Sequence, residues 1–238
     1  MNDFPVWHMF ADNAALDRQL AETVAALLGA TIKRNGSAVL AVSGGRTPLG
    51  FFAELSRQSI PWQQVTVTLA DERWVAVDHQ DSNEGLAREH LLINAAASAR
   101  FVGLKNEAAT ALEGMAACER ALQELGVPDV MVLGMGDDGH TASLFPGAEG
   151  LAAALDPQGA QLCAAITPPR ASHERMTMTL AQLARAHHVF IHITGAAKKT
   201  LLEQAADTAD PLQLPVAAVL NQPRVPVSVY WSDAKEPA

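Results

Sequence analysis

The run from Gly134 to Pro146, GMGDDGHTASLFP, places two carboxylates and a histidine between closely spaced glycines. A histidine titrates near neutral pH and can act as a general base. Asp138 stands two residues before His140 and could orient the imidazole or raise its basicity. The run follows the short apolar stretch from Val130 to Leu133, so we expect these polar groups at the tip of a buried strand. This pattern favours a catalytic rather than a structural role for His140.

The same run contains the pattern G-x-G-x-x-G at Gly134, Gly136 and Gly139, which is typical of dinucleotide-binding sites. Two features argue against that function. Asp137 and Asp138 would place negative charge against a pyrophosphate, and the preceding strand lies in the middle of the chain rather than opening a βαβ unit. We therefore expect these glycines to present side chains, not to bind a dinucleotide.

A second glycine loop, SGGRTP, runs from Ser43 to Pro48 and follows the apolar stretch AVLAV. Gly44 and Gly45 allow the backbone to approach a ligand closely. Thr47 is predicted as the N-cap of a helix, and Pro48 as its first residue. Free N–H groups at such a helix start suit a phosphate, although an ordinary strand-to-helix turn would have the same sequence.

Four further charged residues are candidates for the site. Asp71 and Arg73, in the run DERW, share a face of extended chain and could pair, either as part of a site or as a solvated salt bridge. Lys198 lies in the first turn of a predicted helix, an unfavourable place for a cation unless an anion binds there. Arg175 is a further candidate for binding an anion. His187 and His188, which neighbour each other at the start of a predicted strand, are interpreted as non-catalytic.

Short apolar strands alternate with helical patterns along the chain, which predicts an α/β fold with a mainly parallel sheet and helices on both faces. The ligand site of such a sheet lies outside the carboxyl ends of its strands, where all the candidate residues above should converge. The predicted helices span residues 13–33, 47–58, 82–93 (with Ser82 as N-cap), 107–125, 180–186 and 196–206. The predicted strands span residues 38–42, 65–69, 130–133, 162–166, 189–193 and 225–231. Pro226 suggests that the last of these is an edge strand or that the proline stands at its start.

Composition limits the remaining possibilities. The 238 residues, with 49% hydrophobic and 18% charged side chains, fit one α/β domain over residues 1–238 and exclude a disordered chain. A net charge of −9 argues against nucleic-acid or anionic-membrane partners. Cys118 and Cys163 are expected to be reduced thiols, since neither forms a CxxC and no His/Cys pair has zinc-finger spacing. Without a signal peptide or a membrane-length apolar run, the sequence predicts a cytoplasmic protein.

The segments SGGRTP, DERWV, DSNEG, GMGDDGHTASLFPG, RMTMTL and TGAAKK occur in this order. Together they closely resemble the 6-phosphogluconolactonase family, from about Val39 to the final strand. The run around His140 is specific to that family, whereas SGG-x-TP is shared with related sugar-phosphate enzymes. The resemblance implies a Rossmann-like fold similar to glucosamine-6-phosphate deaminase and ribose-5-phosphate isomerase.

The resemblance also implies roles for individual residues. It implies that His140 is the general base, that Arg73 lies close to the lactone and that Asp138 belongs to the same catalytic loop. The residues that it implies for binding the substrate's phosphate are Gly44, Gly45, Thr47, Arg175 and Lys198. Neither a cofactor nor a metal is expected, and the partner is a small sugar-phosphate lactone acted on by a monomer or a homodimer.

Two other functions remain open from the sequence. A sugar-phosphate deaminase or isomerase could use the same scaffold, but such deaminases carry a glutamate after the GMGxDGH run, where this chain continues with TASLFP. A non-catalytic sugar-phosphate sensor would normally carry a DNA-binding helix-turn-helix, for which the chain leaves no room before its first predicted strand.

Overall fold

The computed structural model describes residues 5–207 and 210–234 and contains one large and one small sheet. The large sheet has seven strands in the order β1-β10-β9-β6-β2-β3-β5, and every neighbouring pair is parallel. The ten strands are β1 (Val6–Phe10), β2 (Ala38–Val42), β3 (Val65–Leu69), β4 (Asp71–Arg73), β5 (Arg100–Val102), β6 (Val130–Leu133), β7 (Cys163–Ile166), β8 (Arg175–Met178), β9 (His188–Thr194) and β10 (Val227–Ser232).

Helices connect the strands and cover the sheet. They are α1 (Asn13–Asn35), α2 (Leu49–Leu55), α3 (Asn83–His90), α4 (Ala111–Leu125), α5 (Leu151–Ala154), α6 (Leu180–Leu183), α7 (Ala196–Asp207) and α8 (Val216–Leu220). The longest, α1, begins where the Asp12 carboxylate accepts the Ala15 N–H at 2.8 Å and ends at Gly36, whose φ of 83° only glycine adopts easily. It packs on β2, β6 and β10, and its buried leucines join the core.

The small sheet is antiparallel, with the order β4-β8-β7. It stands next to the end of β3, because only Ala70 separates β3 from β4. This second sheet was not predicted. Residues 162–166 were expected as a strand, and β7 confirms that strand, but it belongs to the small sheet.

The mainly parallel α/β fold is confirmed, and so is the N-cap at Ser82, whose Oγ accepts the Gly85 N–H at 3.0 Å. The expected helix at 47–58 is wrong at its start. The Leu49 N–H donates to the Arg46 carbonyl, so a turn precedes α2; Thr47 does not cap this helix, and Pro48 lies at the N-cap rather than inside it.

The predicted start of one other helix is wrong, and the structure decides between the two positions that the sequence left open for the last strand. Helix α4 starts at Ala111 instead of residue 107, because Thr110 and Glu113 form a capping box that fixes the start. Strand β10 is not an edge strand, since β1 pairs with its outer side. Pro226 precedes β10, so its missing N–H removes no hydrogen bond from the sheet, as the strand-start alternative predicted.

The core lies between the large sheet and its helices, where the strands are buried on both faces. Both cysteines are buried, free thiols, as expected. Among residues 5–207 and 210–234, no helix combines the length and the apolar character needed to cross a bilayer.

Candidate active site

A cleft of about 210 Å³ opens at the carboxyl ends of β2, β3, β6 and β9, at the edge of the sheet where the sequence predicted a ligand site. The cleft brings together six of the eight predicted site residues: Gly44, Gly45, Thr47, Arg73, His140 and Lys198. Asp138 stands directly behind His140, and Arg175 is not part of the lining. A second depression of about 710 Å³ lies on the other side of His140, so this imidazole separates two cavities.

His140 and Asp138 form a hydrogen-bonded pair, with 2.5 Å between Nδ1 and Oδ1. The same carboxylate oxygen accepts the His140 backbone N–H at 3.1 Å. The hydrogen bond from the imidazole holds the pKa of Asp138 below its ordinary value, so the carboxylate form is favoured. A carboxylate at Nδ1 selects the tautomer that carries its proton there, which leaves the Nε2 lone pair available as a base.

The glycines of this loop shape the pair. Gly136 and Gly139 form a tight turn in which the Gly139 N–H donates to the Gly136 carbonyl at 3.1 Å. A Cβ on Gly136 would lie 2.1 Å from Cε1 of His140, so only glycine leaves room for the ring. The next helix after β6 is α5, which begins at Leu151, so no helix opens at the end of G-x-G-x-x-G. This agrees with the rejection of a dinucleotide site.

Arg73 reaches the cleft from β4, and its Nη1 donates to the Asp81 carbonyl at 2.6 Å. The expected pairing of Asp71 with Arg73 is absent from the described part of the chain. Asp71 instead accepts the Ser143 hydroxyl at 2.6 Å. This hydrogen bond directs the Asp71 carboxylate toward the loop that carries His140.

Arg175 lies opposite Arg73 in the antiparallel register of β4 and β8, and it is buried. Its Nε and Nη1 have no hydrogen-bond partner among the described residues, and its guanidinium lies 5.9 Å from the centre of the Phe145 ring. Burial and, second, the charge of Arg73 lower the pKa of Arg175. The two guanidinium groups add positive charge to one wall of the cleft.

A buried carboxylate holds this wall in place. Glu72 accepts the backbone N–H groups of Arg73, Asn83 and Glu84 at 2.7 to 2.8 Å, together with the Ser82 hydroxyl at 3.1 Å. Burial raises the pKa of Glu72 above its ordinary value, against the effect of these donors. The carboxylate thereby fixes the start of α3 to β4.

The loop SGGRTP also lines the cleft. Gly45 has a φ of 100°, and a Cβ on Gly44 would lie 1.9 Å from the Asn83 Oδ1, so both positions require glycine. Lys198 faces this loop from the first turn of α7, with its Nζ 3.8 Å from the Asp137 carboxylate. The SGGRTP backbone and the Lys198 ammonium group thus line one cleft.

The sequence reasoning missed four polar residues that line the cleft: Ser43, Arg46, Asn83 and His192. Asn83 belongs to the DSN run, whose position after DERW was a usable signal. His192 Nε2 lies 3.4 Å from the Asp17 carboxylate, and both side chains are buried. An aspartate on the apolar face of a predicted helix was the available signal for that pair.

Burial, reinforced by the charge of Glu54, raises the pKa of Asp17 to about 7. The Phe51 backbone N–H, which donates to Asp17, acts in the opposite direction. Gly50 packs directly on the Asp17 carboxylate. Asp17 therefore supports α2, the helix that follows the SGGRTP loop.

Known proteins resemble this chain over nearly its whole length. The family model described as glucosamine-6-phosphate isomerases/6-phosphogluconolactonase matches residues 11–231. A 6-phosphogluconolactonase of Pseudomonas aeruginosa is 45% identical over 95% of this chain and 93% of its own. A 6-phosphogluconolactonase of Neisseria meningitidis is 42% identical over 96% of this chain and 99% of its own.

Solved structures also resemble this chain over nearly its whole length. The crystal structure of a 6-phosphogluconolactonase from Shewanella baltica has a TM-score of 0.93 and 43% identity, covering 98% of this chain and 99% of that one. A monomeric glucosamine-6-phosphate deaminase, at 18% identity and a TM-score of 0.78 over 94% of this chain and 96% of its own, shares the fold. The chain belongs to the glucosamine-6-phosphate isomerase/6-phosphogluconolactonase family.

Proposed function

We propose that this chain hydrolyses 6-phospho-D-glucono-1,5-lactone to 6-phospho-D-gluconate. The observation that carries the proposal is the His140–Asp138 pair, which borders a cleft that is also lined by the SGGRTP loop and Lys198. A base and an anion-binding end in one cleft suit a substrate with a reactive carbonyl and a phosphate. The relatives that carry the 6-phosphogluconolactonase name, at 42% to 45% identity, support the same substrate.

His140 is the proposed general base. Its Nε2 takes a proton from a water molecule as the water oxygen attacks the lactone carbonyl carbon. Asp138 keeps the imidazole in the required tautomer and stabilises the imidazolium that forms. The imidazolium then gives this proton to the ring oxygen as the C–O bond breaks, so the product is the open-chain acid.

Arg73 is the proposed group that stabilises the negative charge on the carbonyl oxygen during attack. Its guanidinium lines the cleft, and its hydrogen bond to the Asp81 carbonyl fixes one of its nitrogens. A preorganised cation acts on developing charge without having to reorganise, which lowers the barrier by several kcal/mol in comparable sites, about 3 to 4 for one donor.

The phosphate is proposed to bind at the other end of the cleft, on Lys198, Thr47 and the N–H groups of Gly44 and Gly45. These groups contribute positioning, since they are remote from the reacting carbon. Arg175 does not line the cleft, but it pairs with Arg73 across the small sheet. We therefore propose that Arg175 attracts the phosphate through its positive charge and not through direct contact.

The wider proposal is a single α/β domain over residues 1–238, working in the cytoplasm as a monomer or homodimer without nucleic-acid, membrane, cofactor or metal requirements for its reaction. The net charge of −9 supports the absence of a nucleic-acid partner. Light scattering after gel filtration measures the oligomeric state directly.

The proposal is tested by hydrolysis of freshly generated lactone, measured beside a blank without enzyme because the lactone opens spontaneously. We expect rapid turnover by the unmodified protein and a fall in kcat of about 100-fold or more in His140→Ala. His187→Ala is the matched control, because His187 also contacts a carboxylate, Asp129 at 3.2 Å, but lies away from the cleft. If the unmodified protein matches the blank, the proposed reaction is wrong.

The phosphate end is tested separately. Lys198→Ala should raise KM for the phosphorylated lactone by about 10-fold or more, equivalent to about 1.4 kcal/mol, with a smaller effect on kcat. Lys199→Ala is the neighbouring control, since the Lys199 ammonium pairs with Glu203 and does not line the cleft. An unchanged KM in Lys198→Ala would remove this residue from the phosphate site.

A further inference from the structure

Three metal-ligating side chains meet beside the cleft on two segments that are distant in sequence. His173 Nε2 lies 3.1 Å from Oδ2 of Asp81, and His79 Nδ1 lies 3.8 Å from the same oxygen. The three ligand atoms all lie within 4.8 Å of one another. One carboxylate oxygen therefore stands between two imidazole nitrogens, and His173 lies 92 residues after Asp81 in the sequence.

This set of atoms matches the preference of zinc. Two imidazole nitrogens and one carboxylate oxygen are common ligands of Zn²⁺, at about 2.0 to 2.2 Å from the metal. Tetrahedral ligands at that distance lie about 3.3 Å from one another. The observed separations of 3.1 and 3.8 Å require only small side-chain rotations to reach this geometry. All three side chains are partly exposed, so water can supply the fourth ligand.

The two imidazole rings already lie next to each other. His173 has a φ of 68°, the left-handed region that non-glycine residues seldom adopt. The two rings meet edge to face, with 5.2 Å between their centres and 78° between their planes. His79 Nδ1 accepts the Asp81 backbone N–H at 3.1 Å. Coordination through Nδ1 would replace this single hydrogen bond with a metal–nitrogen bond.

The cluster is connected to the active site through Asp81. The Asp81 carbonyl accepts a hydrogen bond from Arg73 at 2.6 Å, while the Asp81 carboxylate faces the two histidines. We propose that His79, Asp81 and His173 form a zinc site that joins the two loops beside the cleft. The bound ion would hold the turn that positions Arg73, and it would take no part in the hydrolysis.

Binding is tested with untagged protein, zinc chloride and a competing chromogenic chelator. We expect one tight equivalent of Zn²⁺ per chain, weakened at least 10-fold in His79→Gln and in His173→Gln. His187→Gln is the matched control, because it removes a histidine that contacts one carboxylate and no third ligand. If His187→Gln weakens the tight equivalent as much as His173→Gln does, the proposed site is wrong.

Two further measurements separate this site from the catalytic pair and from a folding defect. Co²⁺ should give the intense visible absorption of a tetrahedral site in the unmodified protein and in His140→Gln, but not in Asp81→Asn. Zinc should also raise the Tm of the unmodified protein and leave that of His173→Gln unchanged, with circular dichroism showing that both are folded. If His140→Gln alone abolishes the tight binding, zinc binds at the catalytic pair and the proposal fails.

Discussion

Gly136→Ala tests whether the tight turn beneath His140 sets the geometry of the catalytic pair. The added methyl group would stand 2.1 Å from Cε1 of His140, 2.2 Å from its Nδ1 and 2.9 Å from Oδ1 of Asp138. Ordinary contacts between such atoms lie near 3.5 Å. The substitution therefore acts on the position of the imidazole and removes none of its functional groups.

The size of the effect follows from these distances. Relieving a contact of 2.1 Å requires the ring to move by roughly 1.4 Å, or the turn to open by a similar amount. A displacement of 1 Å in a catalytic group can lower the rate by about 100-fold. We therefore expect kcat to fall by about 100-fold or more, which corresponds to about 2.7 kcal/mol of transition-state free energy. KM should change little, because the phosphate end of the cleft is separate.

The assay is lactone hydrolysis together with the Tm of each variant. Gly134→Ala is the matched control, since it adds the same methyl group to the same loop and, apart from its two chain neighbours, no atom of residues 5–207 and 210–234 lies within 4 Å of it. We expect Gly134→Ala to retain the NMR signature of a hydrogen-bonded His140 Nδ1–H, and Gly136→Ala to lose it. A folded Gly136→Ala protein with kcat within threefold of the unmodified enzyme would refute this reasoning.

Three other substitutions have specific expected outcomes. Asp138→Asn should lower kcat by about 100-fold or more while leaving Tm nearly unchanged, because the amide no longer fixes the His140 tautomer; a normal kcat would contradict this role. Burial raises the pKa of Asp17 from an ordinary 3.8 to about 7. Between these two pH values the folded state binds more protons than the unfolded state, so the free energy of unfolding falls as the pH rises from 4 to 7. Asp17→Asn should remove that loss. Its free energy of unfolding, measured by chemical denaturation, should exceed that of the unmodified protein by up to about 4 kcal/mol at pH 8 and match it near pH 4. Equal pH profiles for the two proteins would contradict the prediction. Thr110→Ala should destabilise the protein by about 1 kcal/mol through the lost capping box, with kcat unchanged in the same assays.

The sequence was most informative where structure is determined locally. The strands at residues 38–42 and 130–133 are apolar on both faces, the strand at 65–69 alternates apolar residues with threonine, and the structure has all three with these bounds. His140 and Asp138 are two residues apart, so their contact depends on one turn. Ser82 was recognisable as an N-cap because the capping interaction reaches only to Gly85.

Long-range pairing explains what could not be predicted. Strand β4 has three residues and pairs with β8 about a hundred residues later, so neither segment shows enough periodicity to indicate a strand. The contact of Asp17 with His192 joins α1 to the far end of the chain. The start of α2 was misjudged because a turn over residues 46–49 has the same sequence pattern as a helix cap.

Two buried carboxylates connect the backbone around Arg73 to neighbouring elements, although Arg73 lies on the small sheet and His140 lies in the loop after β6 of the large sheet. Asp71 and Glu72 immediately precede Arg73 on β4, and they bind in different directions. Asp71 accepts the hydroxyl of Ser143, which lies three residues after His140, whereas Glu72 accepts three backbone N–H groups and the Ser82 hydroxyl around the start of α3.

Arg73 is thus attached to the histidine loop through one carboxylate and to α3 through the other. An unsatisfied buried partner costs about 1 to 3 kcal/mol, so a change at either carboxylate disturbs both stability and the catalytic distance. Because the two effects share one cause, Glu72→Gln should lower Tm and kcat together, whereas Asp138→Asn should lower kcat alone. This difference distinguishes the residues that hold the site in place from those that act on the substrate.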